Sequence, residues 1–472
     1  MKQVRLCQLQ AASKCLSNVK ESNENTTIFI TFLPQSSGGV EDIMDNKYIN
    51  CIDNLNNDNI NIRFESLNIL KEGIDIGKIA RPTMGDDVNN HIHTNYSFSP
   101  YSPTKAVWMA YNAGLATAGI MDHDSISCAR EFIEAGKIIG IETTIGFECR
   151  IDCSKTPLNG KTINNPDQKS VAYVAVHGIP HTKIDGVNNF IAPFRDKRNK
   201  RNAKMTDNIN KIMQVYGIKL DFERDIMPIS KYIEGGSITE RHILYGLSLK
   251  LIEKFGRGLE LVSFLKNKLE LSLSSKLEDC LLDIHNAFYV YDLLGGLKSD
   301  MVPMFYIDAH DECPSATRLI EFCSEIGAIS AYAYLGDITD SVTGDKKSKK
   351  FEDDYIDLLF DVIKNLGFNA ITYMPSRNTM QQLMRIKSMS EIYGFMQISG
   401  EDINSPRQSF ICSAARNIEF SNLIDSTWAL IGHEKAATKD INNGMFSLDT
   451  AAKYPNINDR INVYKKIQLK QV

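Results

Sequence analysis

From about Asp87 onward, short β-branched apolar runs alternate with amphipathic stretches of helical length, and this alternation restricts the chain to folds in which parallel strands are covered by helices. Seven runs carry the strand pattern: 88–93, 117–122, 142–150, 170–178, 327–336, 368–375 and 394–402. The clearest strand–helix unit starts at Ser102-Pro103, where serine serves as N-cap and proline takes the first helical position, and it ends at Gly114. Between roughly 185 and 300 the pattern changes to helices with charged faces, which reads as a helical insertion interrupting a barrel. The expected segments are an extension at 1–80, barrel at 81–184, insertion at 185–300, barrel again at 301–412 and a helical tail at 413–472.

The first 80 residues match no pattern. Seven asparagines between Glu41 and Phe64 favour turns over a packed core, so this segment is expected to be partly ordered at best. A balance of 53 basic and 58 acidic residues, net charge −5, argues against a general nucleic-acid binder. No run reaches the roughly 18 apolar residues that span a bilayer, and the first 20 residues lack a signal-peptide core, so a soluble cytoplasmic protein with no membrane partner is expected. Ten scattered cysteines without paired zinc-ribbon spacing read as reduced, mostly buried thiols.

The nine histidines are not spread evenly over these elements. His91 and His93 close the first strand, His123 follows the second within Asp122-His123-Asp124, and His177 ends the fourth. Glu148 lies late in the third strand and Asp402 just after the last. A parallel barrel gathers the C-terminal ends of its strands around one mouth, so these residues are expected to converge there. His-x-His on a strand puts two imidazoles on one face, able to hold a divalent cation, and carboxylates complete or bridge such a shell. A cation there lowers the pKa of its water and polarises a phosphoryl oxygen, which is the chemistry of metal-assisted hydrolysis.

Each feature also has an ordinary reading. A lone His-x-His is more often surface or core, Asp-His-Asp is weaker still, and a carboxylate late in a strand often caps the next helix. Their shared position at the ends of separate strands favours the metal site.

The motifs HIHTNYSFSPYSP, GIMDHDSISCAREFIEAG, GFECRID, VAVHGIP, GSITERHIL, EIGAISAYAYLGD and ISGEDINSPRQ, in that order from about Asp87 to Cys412, resemble the polymerase and histidinol phosphatase (PHP) superfamily. The resemblance implies a distorted (β/α)7 barrel with an inserted helical domain, and phosphoester hydrolysis by up to three divalent metals. It implies that His91, His93, Glu148 and Asp402 form a first metal site, that Glu148 bridges to a second using His177, and that His123 serves a third. His123 and Asp402 are then the candidate catalytic residues. Three positions depart from the family pattern: Phe98 replaces an aspartate, Ala333-Tyr334-Leu335 replaces Ala-His-Pro, and Asp402-Ile403-Asn404 replaces Asp-x-His. Phenylalanine cannot ligate, and asparagine and tyrosine are poor ligands, so one or two ions (zinc, manganese or iron) are expected rather than three.

Phosphate needs cationic partners. Gly236 to His242 reads as a helix start with a Ser237-x-x-Glu240 capping box, making Arg241 and His242 phosphate candidates against an alternative as caps. Arg377 and Arg407 follow the sixth and last strands and are further candidates against ordinary loop salt bridges. The basic run Arg195, Lys197, Arg198, Lys200, Arg201 and Lys204 reads as a solvated helix face in preference to a nucleic-acid track. The leading expectation is a metal-dependent phosphoesterase acting on a small phosphorylated metabolite or nucleotide. The alternatives are a barrel that has lost catalysis and binds a ligand or metal, and a nuclease. The oligomeric state is not encoded in any of these patterns.

Overall fold

The computed structural model describes residues 45–337 and 350–469. Seven strands form one sheet in sequence order: β1 Val88–Ile92, β2 Thr117–His123, β3 Glu142–Asp152, β4 Val171–His177, β5 Ile329–Ala333, β6 Ala370–Tyr373 and β7 Met396–Ser399. The sheet closes through a parallel bridge between Ile92 and Ile403, in which His93 N–H donates to the Ile403 carbonyl (2.9 Å) and Ile403 N–H to the His91 carbonyl (3.1 Å). Together with the surrounding helices this is a distorted (β/α)7 barrel, and all seven expected strands are present.

One strand runs against expectation. β4 is antiparallel to both β3 and β5, so its C-terminal end points away from the mouth that the other six strands share. Close approach of backbones at the mouth requires glycine at position 400, where a Cβ atom would lie 2.6 Å from the His91 nitrogen.

Residues 45–80 also differ from the loose extension expected there, while residues 1–44 lie outside the described part. Helices α1 Asn46–Asn54 and α2 Ile60–Asp75 pack against α3 Pro103–Asn112 and α4 Ala129–Ile139, with Leu67 and Leu70 fully buried in the main core. Two of the polar residues in this stretch act as helix caps, Asp45 accepting from Lys47 N–H and Asn59 from Asn61 N–H. The Arg63–Glu131 ion pair, buried on both sides, fixes α2 to α4.

The insertion has its own apolar core and comprises α5 Ile184–Met213, α6 Glu240–Phe255, α7 Leu259–Asn267, α8 Ser275–Leu282 and α9 Tyr289–Phe305. The remaining barrel helices are α10 Ala316–Ile326, α11 Ile356–Leu366 and α12 Met380–Tyr393. The C-terminal segment adds α13 Ser421–Lys439, α14 Leu448–Lys453 and α15 Ile457–Leu469. Leu430 and Ala429 of α13 pack with Met121, Ala175, Ile329 and Met396 of the strands. Glu434 accepts from Ile145 N–H (2.9 Å) and Thr144 Oγ1 (2.7 Å), binding α13 to β3. Among the described residues no helix is long and apolar enough to cross a membrane, and eight cysteines are free, seven of them buried.

Candidate metal centre

Five of the six expected ligands meet at the mouth. The bridge that closes the barrel puts Asp402 beside His91 and His93, and the in-register pairing of β2 with β3 sets His123 opposite Glu148. His93 Nε2 lies 3.1 Å from Asp402 Oδ1, His123 Nδ1 lies 3.1 Å from Glu148 Oε2, and His91 Nε2 lies 3.7 Å from the same Glu148 oxygen. Ligand atoms of His91, His93 and Asp402, and separately of His93, His123 and Glu148, all fall within 4.8 Å of one another.

Whether these residues fit a cation is tested by their unmet valences. His93 Nε2 and His123 Nδ1 are buried and make no hydrogen bond, although each lies 3.1 Å from a carboxylate oxygen. Buried polar atoms are normally paired, so two imidazole nitrogens left open beside two carboxylates form a donor set that fits a divalent ion.

The tautomer of His93 follows from its neighbours. Ser97 Oγ donates its single proton to Asp122 Oδ1 (2.6 Å), so toward His93 Nδ1 (3.2 Å) it acts as acceptor. Nδ1 therefore carries the proton and Nε2 presents its lone pair to the cluster, the orientation a metal-ligating histidine needs. Asp122 is held in turn by Thr94 N–H (2.7 Å) and by the Cys128 thiol (3.1 Å). Sequence reasoning missed the Ser97–Asp122 pair; its only signal was the acid preceding His123.

Electrostatics at the cluster follow from burial and mutual attraction. Burial disfavours charge on His91, yet Glu148, Asp402 and Glu401 lift it above the ordinary imidazole value. Burial pulls His123 down to about 3, with Glu148 opposing. Burial would raise Glu148 and Asp402, but the facing histidines hold both below the ordinary carboxylate range, and Arg241 contributes at Asp402.

His177 is the exception among the six. Because β4 runs antiparallel, His177 stands opposite Ile329, the first residue of β5, while Glu148 stands opposite Ala175 two residues back. This corrects the expectation that His177 shares the mouth: it lies one layer deeper, outside both groups of ligand atoms, and its Nε2 has no hydrogen-bond partner. Burial lowers its pKa to about 3.

A cavity of about 330 Å³ opens over the cluster, lined by His91, His123, Glu148 and Asp402, with Arg241, Arg377 and Lys298 among its walls. The other two cationic candidates are occupied elsewhere. His242 Nδ1 accepts the Thr239 backbone N–H (3.0 Å), and its ring packs edge-on against Phe98 at 5.0 Å. The helix N-cap is Thr239, so the expected Ser237–Glu240 box is displaced by two residues and His242 serves as a cap. Arg407 grips both oxygens of Asp292 (2.8 and 2.7 Å) and does not line the cavity.

The three departures from the family pattern have other tasks. Phe98 joins the apolar core of the insertion. The Tyr334 hydroxyl donates to Asp353 Oδ1 (2.5 Å) while the residue lines the cavity. Asn404 donates to Asp402 Oδ1 (2.6 Å) and accepts from Arg241 (2.9 Å).

The basic run is a further correction. Arg195, Arg198 and Arg201 are buried, spaced to share one face of α5, and only Lys197, Lys200 and Lys204 are exposed. Arg198 pairs with Asp124 and Glu240, and Arg201 with Glu312, which also pairs with Arg150 of β3. These arginines tie the insertion to the barrel, and their charge is unavailable to a polyanion.

Neither a protein-family model nor a curated protein matches the sequence. Solved structures that align with this chain include the following two. A protein from Bifidobacterium adolescentis, provisionally described as a metal-dependent phosphoesterase, aligns with 17% identity over 72% of this chain and 96% of its own, with a TM-score of 0.46. An amidohydrolase from Chromobacterium violaceum with bound sulfate and no metal aligns with 14% identity over 69% and 90%, with a TM-score of 0.45.

Proposed function

We propose that this protein is a metal-dependent hydrolase whose substrate is a phosphoester, a small phosphorylated metabolite or nucleotide. The observation that carries the reading is the pair of open imidazole nitrogens on His93 and His123, each 3.1 Å from a carboxylate oxygen; His123, Glu148 and Asp402 line a cavity that Arg241 and Arg377 also line. One or two divalent ions (zinc, manganese or iron) held by His91, His93, Glu148, Asp402 and His123 supply Lewis acidity and an activated water.

The chain's own groups supply the rest. Ser97 and Asp122 keep His93 in the tautomer that offers Nε2 inward. Glu148 and Asp402 have pKa values below the ordinary carboxylate range, so both supply anionic oxygens to the cluster. Arg241 and Arg377 give the walls positive charge suited to a phosphoryl group. The cavity volume, about 330 Å³, is at the lower end of small-molecule pockets, and Val302 and Pro303 of the insertion help to line it, which favours a small ester over a polymer.

The test uses protein loaded with manganese or zinc and a panel of phosphomonoesters and phosphodiesters. Glu148→Ala and Asp402→Ala are expected to lower turnover by at least roughly 100-fold, and chelation should abolish it. Full activity in both variants refutes the reading. A second reading, a barrel that binds metal without turnover, is favoured by the diversion of Phe98, Tyr334 and Asn404 to structural tasks. It predicts metal-dependent stabilisation with no hydrolysis of any ester in the panel.

A further inference from the structure

The Asp402 carboxylate is held by a short relay that starts in the insertion. Arg241, the second residue of α6, donates from a guanidinium N–H to Asn404 Oδ1 at 2.9 Å. Arginine can only donate, so the amide oxygen of Asn404 must face it, and the amide nitrogen therefore faces Asp402. That nitrogen donates to Asp402 Oδ1 at 2.6 Å, the same oxygen that lies 3.1 Å from His93 Nε2. Gln408 braces the loop by accepting from Asn404 N–H (2.8 Å) and donating to the Asp402 carbonyl (2.7 Å).

The start of α6 is itself anchored. Glu240 pairs with Arg198 of α5, which also holds Asp124 beyond β2, and His242 caps the helix while packing on Phe98. A continuous set of polar contacts thus runs from the segment after β2, through α5 and α6, to the segment after β7.

Resting on the cation site proposed above, we propose that Arg241 and Asn404 are positioning residues: they fix the ligating oxygen of Asp402, and in doing so couple occupancy of the cation site to the seating of the inserted helices on the barrel mouth. Rotation of the Asp402 carboxylate removes a bond that Asn404 donates, and displacement of α6 removes the arginine that sets the Asn404 amide. Outer partners of this kind typically change metal affinity by roughly 10- to 100-fold.

The experiment measures Mn²⁺ and Zn²⁺ affinity of the full chain by calorimetry and chelator competition, so that substrate turnover is not the readout. Asn404→Leu and Arg241→Met, each checked for wild-type circular dichroism and melting, are expected to weaken binding by roughly 10- to 100-fold, with Arg241→Lys intermediate because it keeps one donor. Asn404→Ala removes the donor without adding bulk or charge and should weaken binding as well, giving a test if the leucine variant fails to fold. Hydrogen exchange supplies the coupling: Mn²⁺ should slow the amides at the start of α6 in the wild type and not in Asn404→Leu. Wild-type affinity in every variant overturns the relay and leaves the cation site standing. A wild-type chain that binds neither ion overturns both.

Discussion

Replacing Arg63 with methionine tests whether the N-terminal helices are an integral part of the barrel. The Arg63 and Glu131 side chains are 5% and 4% exposed, and the guanidinium donates to both carboxylate oxygens (2.8 and 2.5 Å). Its NH1 also donates to the carbonyl of Asp58 (3.1 Å), closing the turn that precedes α2. Arg63→Met leaves the Glu131 carboxyl group enclosed without its counter-ion, with only Thr104 Oγ1 (2.7 Å) and Thr104 N–H (3.2 Å) still donating to it. Removing one partner of such a buried pair costs about 3–5 kcal/mol. The assay is native-state hydrogen exchange along α2, which reports opening of these helices without requiring global unfolding. At about 1.4 kcal/mol per decade, exchange should accelerate by roughly two to three and a half decades. Adding Glu131→Gln removes the stranded charge and leaves an unpaired amide, a penalty of about 1–3 kcal/mol, so the double variant should recover part of the loss. A loss below about 1 kcal/mol in Arg63→Met, or a double variant no more stable than the single, refutes the reasoning.

Two further perturbations separate positions that the sequence treats alike. Glu312 is buried between Arg150 and Arg201; burial opposes its charge, but the two guanidinia hold its pKa below the ordinary 4.5. A folded-state pKa depressed in this way contributes stability that is present above the unfolded value and lost as pH falls through the folded one. Urea midpoints should therefore decline below about pH 5 in the wild type and decline less steeply in Glu312→Gln, starting from a lower plateau; equal slopes count against the pair. His177→Ala is expected to keep the wild-type metal stoichiometry by elemental analysis, since His177 lies outside both groups of ligand atoms. Loss of an ion in that variant would return His177 to the ligand set.

Strand positions were legible because buried barrel strands read as continuous apolar runs bounded by turn residues. Direction was not, since periodicity is the same for either sense of a strand. The segment between β3 and β4 held a usable signal: 153–170 contains Pro157, Gly160 and Pro166 and no helical pattern, whereas a parallel crossover is usually helical. That one reversal moved His177 from the mouth to the interior. The asparagines before Phe64 misled for a related reason. Composition suggested disorder, but the residues at 45 and 59 cap helices, and the apolar face of the second of these, Leu67, Leu70 and Ile74, has ordinary helical spacing.

The candidate metal ligands were legible as a cluster because each lies on or beside a strand whose place in the barrel the sequence already implied. The arginines of α5 were not, because their partners Asp124, Glu240 and Glu312 are far away in sequence. In hindsight, arginine at 195, 198 and 201 against lysine at 197, 200 and 204 sorts the run into two faces. A guanidinium can satisfy two carboxylates at once when buried, while an ammonium is better left in water, and the structure sorts them that way. The same logic joins Phe98 and Asn404. Each stands where the resemblance implies a ligand, and each now contacts the insertion, Phe98 through its apolar core and Asn404 through Arg241. His91, His93, His123, Glu148 and Asp402 lie together at the mouth, and Phe98 and Asn404 connect that mouth to the insertion.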